Sequence, residues 1–457
     1  MSLNLIDIES FRTRIERKST NSKGEFIAYW MTNAQRVDCN YTLERALKFA
    51  HKERLPLKIF FIYNPGHYKT LERHHCFMLH GLLEVNDLLK KYNHSFHFFS
   101  YKDNLLKEIL DRCNHLFIDL PYTERARAHL KKELIGLDMN IYSVDNLYLP
   151  LTLISKKQEF SAATLRKKYY KILDNTLIGQ DFSVLEYISK VDSFIKNTDS
   201  RNQICSEIDK LNIDNLIDKN YLIRSGPITA QNVIDDFLDN SLDNYQENSN
   251  NPEFIKNSTI SRYLHYGHIS SAKIITKLIE NNLKIDHPFI EQLLIRRELA
   301  YNFTYYNKNY NNSESLPNWA IKTLNEHNYD KREYLYTLKD FEFAKTHDVY
   351  WNSAQHQLLT SGYIHGYMRM YWGKKILEWT SNYKEAIKIA LYLNNKYQLD
   401  GRNPNSYVGI LWCFGLHDRA WKERKVFGKI RYMNENGLRR KFDINRYVEK
   451  VSKNNLF

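Results

Sequence analysis

Five short apolar runs, Phe26–Met31, Leu57–Tyr63, Phe96–Tyr101, Leu116–Leu120 and Asn140–Val144, alternate with amphipathic stretches at Tyr41–Lys52, Cys76–Lys91, Asp103–Cys113 and Thr123–Ile135. A strand covered on both faces reads as a continuous apolar run, and strands alternating with helical patterns read as βαβ units. Residues 1–150 are therefore expected to form an α/β, Rossmann-like domain around a five-stranded parallel sheet. Asn40 stands where a helix N-cap belongs, ahead of Leu43, Ala46 and Leu47 at helical spacing. Parallel sheets often bind nucleotides, but Gly24, Gly66, Gly81 and Gly136 are too dispersed for a GxGxxG turn or a P-loop. Either a ligand is held here in another way, or the domain is a scaffold.

Residues 151–250 read as a connecting region. Pro150 closes the last strand, Ser155–Leu173 is basic, and Asn197–Asn220 is polar with short helical patterns. Asp235–Pro252 is acidic and Asn-rich, a surface segment expected to end in a turn at Asn250-Asn251-Pro252. Beyond it the apolar spacing is helical through Ile260–Leu283, Phe289–Tyr306, Ser353–Thr380 and Tyr383–Tyr397. Residues 251–457 are expected to form an all-α domain.

Charge bears on partners. The 457 residues carry 66 Lys+Arg against 53 Asp+Glu, a formal +13, which favours an anionic partner. Arg419–Lys441 alone holds nine Lys/Arg and two Glu, with Trp421, Phe427 and Tyr432 interleaved. Cations for phosphates beside flat rings for bases suit nucleic-acid binding; a solvated basic face is the plainer reading. The five cysteines are scattered, with no CxxC pair, which fits a reducing compartment. No apolar window is long enough to span a membrane, and the charged N-terminus does not read as a signal peptide. A soluble, intracellular protein of cytoplasm or nucleus is expected.

Six of the seven tryptophans lie in the helical half. Trp372 and Trp379, seven apart, would share one helix face at a spacing of about 10 Å. Core packing and an electron-hopping chain both remain open readings. Ser258, Thr259 and Ser261 precede a helical run, where they either cap it or leave its N-terminus to a diphosphate. His265 and His268 lack a carboxylate or thiol partner nearby, so no metal is expected.

Several motifs then converge. Gln35-Arg36-Val37 with Asn40, Lys157-Gln158-Glu159-Phe160-Ser161-Ala162, Arg296-Arg297-Glu298-Leu299 with Asn302-Phe303, and Lys345-Thr346-His347-Asp348 with Trp351-Asn352 form one set. His365-Gly366-Tyr367-Met368-Arg369-Met370-Tyr371-Trp372, Leu399-Asp400-Gly401-Arg402 and Lys429-Ile430-Arg431-Tyr432 complete it. Together they resemble the class II cyclobutane pyrimidine dimer DNA photolyases over nearly the whole chain.

The resemblance implies FAD, folded into a U in the helical domain, and light-driven repair of pyrimidine dimers by electron transfer to a flipped-out lesion. Tyr245, Asn257, Ser258, Thr259, Ile260 and Ser261 match the cofactor-binding stretch. Arg369 and Asp400 match a salt-bridged pair beside the flavin, and Asn394 the asparagine near its N5 atom. Trp372, Trp351 and Trp379, with Tyr336, match a photoreduction chain. Asn250, Arg296, Trp412, Arg419, Trp421, Arg431 and Arg440 match positions near the lesion or the DNA backbone. The partner implied is UV-damaged DNA, bound by a monomer. A second, antenna chromophore of deazaflavin type is compatible with the α/β domain. Two departures stand out. Where the family carries Glu, this chain has Gln292 behind Glu291, so either repair is weaker or Glu291 substitutes. Ser249 replaces a frequent arginine. Gln292 is also the best argument for the alternative, a cryptochrome-like FAD photoreceptor without repair.

Overall fold

The computed structural model describes residues 8–19, 24–66, 70–176, 184–195, 198–254 and 258–453. Its sheet contains β1 (Thr13–Arg17), β2 (Phe26–Trp30), β3 (Leu57–Tyr63), β4 (Phe96–Ser100), β5 (Cys113–Asp119) and β6 (Asn140–Val144). The order is β1-β6-β5-β2-β3-β4. Strands β2 to β6 pair in parallel as the apolar runs require, with Ile27 opposite both Leu57 and His115. The expected five strands become six, because β1 joins the edge antiparallel, Thr13 opposite Val144. Its sequence, TRIER, is charged and mostly exposed. A solvated edge strand has no second face to bury, so it leaves no apolar run to detect.

Asn40 caps the helix Tyr41–Glu53, its side-chain oxygen accepting the Leu43 amide at 3.0 Å. Asp119, at the end of β5, accepts the main-chain N–H groups of Thr32, Asn33 and Ala34 at 2.8 to 3.0 Å. That carboxylate fixes the turn leaving β2 at the sheet's C-terminal edge.

The connecting region is more ordered than its composition implies. It includes helices Ala162–Thr176, Ser200–Asp209 and Pro227–Asn240. The last of these runs into the acidic Asn-rich segment, where Asp235 meets Lys277 at 2.6 Å. Acidic residues on the outer face of a packed helix look like loop when only polarity is counted.

The helical half also departs in detail. The run Ile260–Leu283 is two helices, Ser261–Tyr266 and Ser271–Glu280, separated at Gly267 with φ +72°. Ser353–Thr380 likewise divides into Val349–Ser361 and Gly366–Glu378 at Gly362, φ +63°. Both are left-handed C-caps that only glycine adopts without strain. Phe289–Tyr306 stays helical but contains a π-helical segment, Glu291–Arg296. Tyr383–Tyr397 is one helix, as its periodicity predicts.

Many of the motif residues join the halves. Asn302 accepts the Glu159 amide at 2.7 Å and donates to the Lys157 carbonyl at 3.0 Å. Arg36 donates to the Gly267 carbonyl at 3.0 Å. Glu298 accepts the Tyr148 amide and the Tyr169 hydroxyl, and burial pushes its carboxyl well above the usual range. Arg73, fully buried, binds Asp214 at 2.8 Å and the Leu359 carbonyl at 2.8 Å. These contacts hold the sheet, the connecting region and the helical half in register.

Candidate functional site

The helical half encloses a cavity of about 480 Å³. Ser258, Thr259, Ile260 and Ser261 line one side, with Tyr245 and Asn250 beside them. Thr259 has φ +45°, an unusual conformation for a β-branched residue. The helix beginning at Ser261 takes Ile260 as its N-cap and has no side-chain cap bond. The expected hydroxyl capping by Ser258, Thr259 or Ser261 is thus not made. Their short side chains border the cavity instead. Asn257 lies outside the described residues.

Arg369 and Asp400 line the opposite part of the cavity. They are not within ion-pair distance of each other, contrary to the salt bridge the resemblance implies. They come from separate walls, the helix Gly366–Glu378 and the turn after Tyr383–Tyr397, and nothing here draws them together. Asp400 Oδ1 is buried and has no hydrogen-bond partner, an arrangement that is costly unless a ligand group completes it. A Cβ placed on Gly366, at the start of the same helix, would meet nothing within 4 Å. Asn394 is buried one turn before this wall ends, its side chain 3.4 Å from Asn395, and is not among the lining residues.

The π-helical segment explains Glu291 and Gln292. A π turn widens the helix by one residue and re-aims the side chains it carries. Gln292 and Leu293 line the cavity. Glu291 instead pairs with Arg166 at 2.6 Å and Arg296 at 3.2 Å. Bound to two guanidinium groups, Glu291 is not among the residues that line the cavity.

Behind Arg369 an aromatic chain runs outward. Trp372 and Trp351 stack at 6.1 Å and 5° between planes. Trp351 and Trp379 lie 6.3 Å apart, and Trp379 and Tyr336 5.7 Å apart. The order is therefore Trp372, Trp351, Trp379, Tyr336. Trp372 and Trp351 are fully buried. Trp372 donates its indole N–H to Gln355 at 2.9 Å, and Trp351 donates to the Trp372 carbonyl at 3.0 Å. Asp348 caps the helix Val349–Ser361 and accepts the Tyr371 hydroxyl. The rings are set by hydrogen bonds as well as by packing.

The basic segment forms a rim. Arg419 and Arg431 flank the Trp421 ring at 5.0 and 5.2 Å, and Arg296 lies over Trp412 at 5.2 Å. Trp421 is 39% exposed. Arg440 projects from the short helix Glu435–Lys441, and Lys441 sits 4.5 Å over Tyr367, which lines the cavity. Thus the rim and the cavity meet at Tyr367. Cavity residues the sequence did not single out include Tyr363, Gln398 and Asn405. Tyr363 and Gln398 lie between helices and Asn405 in the first turn of the helix Pro404–Trp412, where no apolar periodicity marks them.

A second cavity, of about 360 Å³, lies at the C-terminal edge of the sheet. Trp30 at the end of β2, Met31 just after it, and Ile118 and Asp119 in β5 border it. The chain order reverses between β2 and β5, the switch point at which open parallel sheets bind ligands. His74, His75 and His265 line it as well. Burial holds the His75 imidazole down to about 4 and that of His265 to about 3, so both are neutral. The two cavities share Leu264, Arg297 and Asn403 in their walls.

Comparison with known proteins decides the family. The chain is 35% identical over 440 residues to the deoxyribodipyrimidine photo-lyase of Methanothermobacter thermautotrophicus, covering 94% of this chain and 95% of that protein. The chain belongs to the DNA photolyase family. The family's DNA photolyase profile matches residues 27–184. The deoxyribodipyrimidine photo-lyase of Potorous tridactylus is 33% identical over 450 residues, covering 94% of this chain and 82% of that one. Among solved structures, a bacterial class III photolyase from Agrobacterium tumefaciens superposes with a TM-score of 0.72 over 95% of this chain and 88% of its own, at 16% identity. That likeness shows the photolyase fold, an α/β domain joined to a helical C-terminal domain.

The family's flavin can be tested against these walls. A volume near 480 Å³ falls within the range of small-molecule sites, roughly 300–1,000 Å³. The partnerless Asp400 carboxylate, the open space over Gly366 and the Arg369 guanidinium all fit a heteroaromatic ring with hydrogen-bonding edges. The residues present fit FAD. Among the described residues no helix is long and apolar enough to cross a membrane.

Proposed function

We propose that this chain repairs cyclobutane pyrimidine dimers in DNA as a deoxyribodipyrimidine photo-lyase, of the class II type its motifs resemble. The observation that carries the reading is one cavity with three attachments: an unsatisfied carboxylate oxygen and a guanidinium among its lining residues, an ordered aromatic chain behind, and a basic aromatic rim in front.

In this reading Ser258–Ser261 and Tyr245 hold the nucleotide part of FAD, while Arg369 and Asp400 hold the ring edge. Asn394, buried on the next helix, supports the wall beside the flavin. The bound cofactor supplies the light-driven electron for dimer splitting. The protein supplies position. Arg419, Arg431 and Arg440 neutralise phosphates without reading sequence. Extruding a damaged, poorly stacked pair costs least, a base-flipping rule for which photolyases are among the standing examples. Trp421, held between two guanidinium groups, and Trp412, under Arg296, present rings to the opened duplex. Asn250 and Gln292 border the place a flipped pair would enter, Gln292 donating an amide hydrogen bond where the family offers a carboxyl. Glu291 serves as an ion-pair anchor for Arg166 and Arg296. The aromatic chain carries electrons inward to recharge the cofactor.

The switch-point cavity is proposed to hold an antenna chromophore of deazaflavin type. Neutral histidines and aromatic walls suit a flat conjugated ring, and only a shared wall separates it from the flavin cavity. The enzyme is proposed to act as a monomer in an intracellular compartment.

The test uses a thymine-dimer oligonucleotide, reductant, blue light and a dark control. Light-dependent loss of dimers by a yellow protein is the expected result. A yellow protein that leaves dimers intact would be a photoreceptor, and a colourless protein would remove the flavin from the proposal.

A further inference from the structure

The aromatic chain ends in a cluster that the repair reaction does not need. Tyr336 places its hydroxyl 2.7 Å from Nδ1 of His347. The same oxygen accepts the main-chain N–H of His347 at 3.0 Å. With His347 protonated on Nε2, Nδ1 is the acceptor and the phenolic hydrogen points at it. Tyr334 stacks on the other face of the imidazole at 3.8 Å and 22°, fixing its plane. His347 is exposed, so its remaining nitrogen has access to water. One step inward, the Lys375 ammonium sits 5.3 Å over the Trp379 ring, paired with Glu378 at 2.6 Å.

We propose that His347 is the proton acceptor that makes Tyr336 the terminal electron donor of this chain. The proposal rests on the flavin reading above, with a photoexcited oxidised flavin as the oxidant. When the hole reaches Trp379, one electron passes from Tyr336 to the Trp379 radical cation. The phenolic proton passes to Nδ1 of His347. Trp379 returns to its closed-shell form, leaving a neutral phenoxyl radical and an imidazolium. An added thiol later returns the electron to Tyr336, and the imidazolium returns the proton. The geometry supports the direction of the step. A cation over the Trp379 ring opposes a positive hole there, whereas Tyr336 can lose its charge as a proton along a short hydrogen bond. Tyr334, 39% exposed, covers the imidazole from solvent on one face only.

Two measurements on the holoenzyme test this. After a laser flash on the oxidised flavoprotein, transient absorption and spin resonance should detect a neutral tyrosyl radical whose formation slows in deuterated solvent. In His347→Asn, with flavin content as the check on folding, formation should slow by about 10²-fold or more, the scale of a positioned proton acceptor. Formation at the unchanged rate in this variant, or a wild-type chain that stops at tryptophan, would overturn the proposal. In the dark, nitrogen-labelled histidine resonances should show His347 neutral, protonated on Nε2, with an Nδ1 shift that changes in Tyr336→Phe. A proton on Nδ1 would overturn it too. A colourless protein defeats the flavin reading instead, and the dark measurement still decides the role of His347.

Discussion

The two cavities differ in how their walls are built. The sheet-side cavity sits at a place that topology alone creates, the switch point between β2 and β5, and its carboxylate is bonded internally: Asp119 accepts three amides of the β2 turn, while Gln35 Oε1 in the same wall has no hydrogen-bond partner. The helical-side cavity is unfinished. One oxygen of its carboxylate, Asp400 Oδ1, has no hydrogen-bond partner, its threonine backbone is left-handed, and one wall is a π segment. Local strain and unsatisfied groups persist where surrounding structure fixes them for use. This contrast supports the proposal that chemistry takes place in the helical cavity and that the sheet cavity has an accessory role.

The largest effects should separate the two. In Arg369→Ala a ring edge bound by Asp400 loses its cationic counterpart, and flavin affinity should fall about 10- to 100-fold, the scale of an unmatched hydrogen bond to a charge. Flavin retained through dialysis at the wild-type level would break the assignment. Ala126 lines only the sheet-side cavity. Ala126→Trp should fill it while leaving flavin content and repair under saturating light unchanged. Under weak light the rate should fall to that of the flavin alone. A variant with unaltered weak-light repair, compared across the blue action spectrum, would remove the antenna role.

How much of this contrast was legible beforehand follows from what each cavity is made of. The sheet showed itself because a doubly covered strand must be apolar along its length, and β2 and β3 are. Its charged sixth strand could not. The switch point carries no glycine-rich fingerprint and depends on strand order, which is not written in any local window. On the helical side, Ser258, Thr259 and Ser261 stood out as short hydroxyl residues ahead of a helical run, whereas Arg369 and Asp400 were reached only through family motifs, because no periodicity tells a polar residue that borders a cavity from one that faces water. The motifs also mixed roles that distance alone separates: Asn302 and Arg36 join the halves, whereas Arg369 and Gln292 border the cavity. The tryptophan spacing was ambiguous for a related reason. Trp372 and Trp379 touch through Trp351, a ring from another helix.

Smaller effects sharpen the helical side. Gln292→Glu restores a carboxyl at the cavity wall. Repair yield per absorbed photon should rise by up to about tenfold, the value of one stronger hydrogen bond to a charged lesion. An unchanged yield would show that the amide suffices. Removing Arg431 should reduce the salt slope of duplex binding by about 0.9 per lost phosphate contact. Arg431→Ala also unstacks Trp421, so an unchanged slope with weaker binding would mean that Arg431 acts through the ring rather than on phosphate.

The smallest effect concerns the attachment of the rim. His327 bridges Asp330 at 2.7 Å and Glu423 at 3.1 Å. Asp330 also accepts the Val426 amide at 2.7 Å, in a loop where Val426 has φ +68°. The hydrogen bond to Asp330, seconded by Glu423, raises the His327 pKa above its usual value. Because the folded form binds the proton more tightly, the bridge is fully present below about pH 6.5 and is lost as pH rises through the raised value. The Val426 amide, then His327 and Arg332, hold the Asp330 carboxyl below its usual range. Hydrogen exchange at Val426, corrected for intrinsic base catalysis, should therefore accelerate on going from mildly acidic to alkaline pH, and dimer-DNA affinity should weaken modestly alongside it. In His327→Gln both trends should flatten. A persisting trend in that variant would place the titrating group elsewhere and leave the loop held by Asp330 alone.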